Sequence, residues 1–145
     1  MAAGAFVYHA AALGALATKK IDLEADEFFM LLTTSDYVPD DEADIDLDDV
    51  TDELSGGDYA RETLTSVSAT LTGKTVVWTS APADFGAEVD IAAKYGVIIN
   101  NTTTPKYIMG HVDLNSSGGS ATSTAGPFKV SPHATNGWWR HRPPS

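Results

Sequence analysis

The chain contains no cysteine, which excludes disulfides, thiolate metal sites and thiol nucleophiles and leaves packing and hydrogen bonding to hold the fold. Basic residues are scarce too: 9 Lys and Arg stand against 20 Asp and Glu, for a net charge of −11. That balance, with no cluster of Lys and Arg, argues against nucleic-acid binding through phosphate contacts. Long apolar runs are also missing. The small-residue stretch 2–17 is interrupted by His9, has no basic segment before it, and is followed rather than preceded by Lys19 and Lys20. Neither a signal peptide nor a membrane span is expected from such a pattern. Motifs with a known mechanism are absent as well: there is no G-x-S-x-G, P-loop or H-E-x-x-H, and His9, His111, His133 and His141 are never three or four residues apart.

What is present is a set of short β-prone pieces in a chain of 145 residues, the size of one domain that can bury roughly two thirds of its extended surface. They are arranged around residues 74–101, where Val76, Val77 and Trp78 form one apolar cluster and Tyr95, Val97, Ile98 and Ile99 another. Both clusters are rich in side chains that suit a pleated, half-buried surface, so each predicts a core strand. Between them Pro82 and Gly86 punctuate a connection anchored by Phe85, followed by a short strand over 88–91.

Residues 1–19 read as a helix, with Phe6, Ala10, Leu13 and Ala17 spaced to line its apolar face. After a short extended piece at 21–23, the run EFFMLLT over 27–33 predicts a strand with both faces covered, one of them by that helix. Further strands are expected at 59–64, 67–71, 75–79, 107–114 and 127–130, with a hairpin turn at Thr72, Gly73 and Lys74. The Ser, Thr and Gly segment 115–126 has no apolar anchor and reads as a flexible surface loop. The total of about seven to eight short strands and one N-terminal helix predicts a mainly β domain, an antiparallel sandwich or barrel over 20–130, followed by a tail at 131–145.

Three features invite a chemical reading. The acidic loop 40–54 carries nine carboxylates, and Asp44, Asp46 and Asp48 alternate as in the first half of an EF-hand. The rest of that loop is missing, because Asp49 stands where the sharp turn needs Gly and Ser55 where the bidentate Glu belongs. A solvated loop or short helix with Ile45, Val50 and Leu54 tucked under the domain is the ordinary reading, with a surface cation site or a basic partner surface as alternatives. Asp84, Glu88 and Asp90 are close enough in sequence to suggest paired carboxylates, but nothing around them implies the burial that a raised pKa requires. His111, between apolar strand neighbours, reads as a satisfied structural histidine. The tail is the most suggestive feature: Trp138 and Trp139 beside Arg140 and Arg142 have the composition of a binding hot spot. With Phe6 and Tyr8 these form the expected partner contacts, and removing the tail is expected to weaken attachment while leaving the β fold intact. No catalytic residue, metal ligand or cofactor is assigned.

The order of several motifs resembles that of small structural proteins of tailed-bacteriophage virions. A small-residue opening leads to FFMLLTTSDYVPD, then DDVTDELSGGDYARETL with its acidic segment and Ser-Gly turn, then LTGKTV, AKYGVIIN, and GHVDL followed by a Ser/Gly loop. The likeness covers most of 20–130 and lies in that order, since each motif alone is generic; the tail and the dense acidic run depart from the pattern. The resemblance implies a non-enzymatic virion part made in the host cytoplasm. The leading expectation is a capsid decoration protein that binds the major capsid protein and its own copies, with a trimer favoured. A neck, tail or fibre component is the neighbouring alternative, a carbohydrate-binding module stacking sugars on Trp138, Trp139 or the loop aromatics is the alternative of another class, and a hydrolase without a recognisable motif is the remaining one.

Overall fold

A computed structural model describes residues 4–142. The described chain is mainly β, with one helix near its start: β1 (Val7–Tyr8), α1 (Ala10–Ala17), β2 (Phe28–Thr33), β3 (Glu62–Thr63), β4 (Ser68–Thr72), β5 (Thr75–Thr79), β6 (Ala83–Asp84), β7 (Val89–Ala93), β8 (Tyr95–Asn100), β9 (Ile108–Asp113), β10 (Ala121–Gly126), β11 (Lys129–Val130) and β12 (Trp139–His141). All pairings are antiparallel, in a five-stranded sheet ordered β1-β9-β8-β2-β3, a three-stranded sheet β12-β5-β4, and the pairs β10-β7 and β11-β6. The sandwich-like architecture is the expected one. The strands beyond the expected set are the two-residue β1 and β6, too short to leave a sequence period, together with β10 and β12, which lie in the segments expected as a loop and a tail.

β2 explains its own composition. Every residue from Phe28 to Thr33 is buried, because successive side chains point to opposite faces and both faces are covered. Phe28, Met30 and Leu32 join Trp78, Trp138, Trp139 and the α1 residues Ala12 and Ala15 in one cluster. Phe29 and Leu31 join Tyr37, Val97, Ile99 and Ile108 in the other, under Leu47 and Val50. At about 1.5–3 kcal/mol for each large apolar side chain removed from water, these two layers dominate the folding energy. The helix covers one face as expected. The acidic loop covers the other, through the apolar residues between its carboxylates.

Four expectations need correction. The helix occupies only Ala10–Ala17, because Val7 and Tyr8 are drawn into an edge strand on β9 and His9 turns the chain, its backbone N–H on Met109 O at 3.2 Å. Its packed face is Ala12 and Ala15, and Leu13 is 37 % exposed, so the 6-10-13-17 stripe is not the buried one. Residues 21–23 form no strand; Asp22 Oδ1 accepts from the N–H groups of Glu24 and Ala25 and closes a turn. In the acidic loop Ile45 is 44 % exposed while Val50 and Leu54 pack inward. Residues 121–126 of the supposed surface loop are β10, whose backbone pairs with β7 while Asp90 accepts from the Ala125 N–H at 2.6 Å and the Ser123 hydroxyl donates to Val89 O at 2.7 Å. The β4-β5 hairpin turns through Gly73, whose φ of +62° suits a type II′ turn.

Candidate functional site

The tail departs most from expectation. Trp138 and Trp139 are 4 % and 1 % exposed, built into the core rather than displayed from a free end. The turn that brings them there is organised by His133, whose Nδ1 accepts from the N–H groups of Thr135 and Asn136 and whose carbonyl accepts from Gly137 N–H. Gly137 has φ +61°, and a Cβ at that position would fall on the Trp78 carbonyl oxygen. Only glycine lets the tail approach β5 this closely. Trp138 N–H then donates to that carbonyl at 2.8 Å, Trp138 Nε1 donates to Ser80 Oγ at 2.9 Å, and β12 runs alongside β5 with Trp139 opposite Trp78.

The N-terminal segment arrives at the same place. β1 pairs with β9, Tyr8 opposite Gly110, and a Cβ on Gly110 would meet the Phe6 ring and the Val7 carbonyl. Phe6 packs on Trp138 with centroids 5.6 Å apart, and Tyr8 on Trp139 at 4.9 Å and His141 at 5.3 Å. Phe6, Tyr8, Trp138 and Trp139 are therefore brought together, largely against one another. Arg140 and Arg142 remain exposed.

Between these segments and β11 lies a groove of about 570 Å³. Phe6, Val112, Leu114, Phe128, Val130 and Trp138 give it apolar walls, and Lys129, His133 and Arg140 add polar or cationic groups. No Asp or Glu lines it, in a chain with 20 of them. Lys129 is 3.7 Å from Asp84 with both side chains more than half exposed, so this ion pair is weak.

On the opposite face of the five-stranded sheet, β1-β9 pairing sets His9 against His111, a contact the sequence spacing could not reveal. His9 Nδ1 is 3.0 Å from the carbonyl of Asp44, which can only accept, so Nδ1 carries the proton. Its Nε2 then accepts from His111 Nδ1–H at 2.8 Å, and the pair is satisfied in its neutral form. Burial pushes the His111 pKa down to about 4, with His9 adding to the effect and Asp41, Asp44 and Asp113 opposing it.

The acidic loop spends its central carboxylates on itself. Asp44 accepts from the Tyr37 hydroxyl at 2.8 Å and from Asp40 N–H. Asp46 and Asp49 cap the 3₁₀ turn Leu47–Asp49 from both ends of a capping box. Glu53 accepts from Tyr59 and, in a fork, from Arg61. Among the described residues no group of three or more His, Asp or Glu is placed to hold a metal ion. Asp84, Glu88 and Asp90 are all exposed.

Protein-family models, curated proteins and solved structures contain no match to the chain. Among the described residues no helix is long and apolar enough to cross a membrane.

Proposed function

We propose that the protein is a structural component of a tailed-bacteriophage virion, a capsid decoration protein that binds the assembled shell. The order of sequence motifs supports the class, and the groove between β1, β11 and β12 supports a binding role. Aromatic walls with an arginine beside them are the composition of protein contact surfaces, where such residues carry most of the energy. A β domain whose two terminal segments are locked into one face offers a rigid surface of this kind, with little ordering cost on binding.

Quantitative mass spectrometry of purified virions tests the reading. A copy number equal to that of the major shell protein, or a simple fraction of it, is the expected result. A ratio of a few per cent would move the protein to the neck or tail, and absence from particles would sink the virion reading. The carbohydrate-binding alternative loses Trp138 and Trp139 as open stacking platforms, because these rings pack against Phe6, Tyr8 and Trp78.

A further inference from the structure

The groove and the acidic loop lie against opposite faces of the five-stranded sheet. Val112 and Leu114, which line the groove, belong to the cluster containing Phe28 and Met30, whereas Leu47 and Val50 of the loop pack on Phe29 and Leu31. A chain therefore cannot lay its own loop in its own groove. Two copies can.

The two surfaces complement each other in charge and in shape of polarity. Lys129 and Arg140 line the groove and no acid does; Lys129 is only weakly held by Asp84 at 3.7 Å, and Arg140 is exposed and makes no ion pair among the described residues. In the loop, Asp41 and Glu42 are exposed and their carboxylates make no hydrogen bond or ion pair among the described residues, unlike Asp44, Asp46, Asp49 and Glu53. Ile45, 44 % exposed, stands beside them as an apolar knob in an acidic surround, the counterpart of an apolar groove with a cationic edge. We infer that the turn 41–45 of one copy docks in the groove of the next, Asp41 and Glu42 meeting Arg140 and Lys129 while Ile45 seats against the aromatic wall. Donor and acceptor surfaces differ, so the contact is heterologous and builds a ring where its rotation closes and an open chain where it does not. The inference names a partner for the groove but stands without the virion reading, because both surfaces belong to this chain.

Sedimentation velocity on the full chain tests it, over about 10–500 μM and at about 50 and 500 mM salt, a range that changes the screening length several-fold. Association is expected at low salt, with the dissociation constant at least about tenfold weaker at high salt. Arg140→Glu alone and Asp41→Lys with Glu42→Lys should each be monomeric, and an equimolar mixture of the two should associate again, since the intact loop of the first faces the intact groove of the second and the reversed surfaces face each other. Arg140→Gln, a milder change at an exposed position, should weaken association without abolishing it, and circular dichroism checks that each variant is folded. A wild-type chain that stays monomeric throughout, an oligomer indifferent to salt and to both variants, or a mixture that stays monomeric would each overturn the inference. Absence from virions would leave it untouched, and a monomer in solution would leave the copy-number test standing.

Discussion

Tyr8 and Trp139, from opposite ends of the chain, meet with ring centroids 4.9 Å apart and planes tilted by 47°. They belong to the edge strands of two different sheets, β1 of the five-stranded and β12 of the three-stranded one. The contact ties the edges of the two sheets together.

Removing residues 138–145 should therefore unfold the protein rather than release a free tail. The deletion takes out two buried indoles and the strand paired with β5. Each large aromatic is worth about 3–5 kcal/mol by truncation, against a total stability of about 5–15 kcal/mol for a domain. The truncated chain is expected to show no cooperative urea transition and no near-ultraviolet dichroism; a sharp transition near the wild-type midpoint would contradict the packing described.

The two indoles should respond differently to a milder change. Trp138 Nε1 donates to Ser80 Oγ, whereas Trp139 Nε1 is buried without a hydrogen-bond partner among the described residues. Trp139→Phe loses apolar area but also removes an orphan donor whose burial costs about 1–3 kcal/mol, so it should lie within about 1.5 kcal/mol of wild type. Trp138→Phe breaks a made bond and should cost about 1 kcal/mol more than its neighbour. Urea midpoints of the two variants, compared at one pH, give the order directly.

Glycines divide in the same way. Gly14 lies inside α1, exposed, and a Cβ there meets nothing within 4 Å. Gly14→Ala should stabilise by about 0.5–1 kcal/mol through helix propensity alone. Gly137→Ala places a methyl on the Trp78 carbonyl at a φ of +61° and should cost at least about 2 kcal/mol. Thermal melts of both variants would show opposite shifts; a neutral Gly137→Ala would mean that the tail does not approach β5 as closely as described.

The strands that carry the core were legible because their side chains announce burial on both faces: FFMLLT became β2 and YGVIIN became β8, paired over their whole length. β10 was not, because ATSTAG is held by backbone pairing and by Asp90 and Ser123 rather than by apolar packing. The short helix hid behind a long run of alanines, whose propensity says nothing of where β1 must pair. Of the candidate site, Phe6, Tyr8, Trp138 and Arg140 were each identifiable as unusual, and all four line the groove. Their mutual packing was not readable, since it depends on Gly110 and Gly137 permitting close approach from segments far apart in sequence. Residues 138–141, WWRH, carry no alternation of apolar and polar side chains, so the strand there left no period to read.

The His9–His111 pair links stability to pH. Burial favours the neutral imidazole of His111, so its pKa falls from 6.5 in the unfolded chain to about 4 in the folded protein. Between those values unfolding takes up a proton, which makes stability rise with pH across the window, complete above 6.5 and lost as pH falls toward about 4. Asp22 and Asp40 also titrate below the ordinary carboxylate range, Asp22 because the N–H groups of Ala25 and Glu24 favour its charged form and Asp40 because those of Ala43 and Glu42 do. Their contributions fade at lower pH with or without the histidine. His111→Gln keeps an N–H donor for His9 Nε2 and does not titrate. Urea midpoints of wild type and His111→Gln measured from about pH 4 to 8 should therefore converge at the acidic end and separate in favour of wild type as pH rises through the window. Parallel curves would show that His111 titrates alike in the folded and unfolded chain.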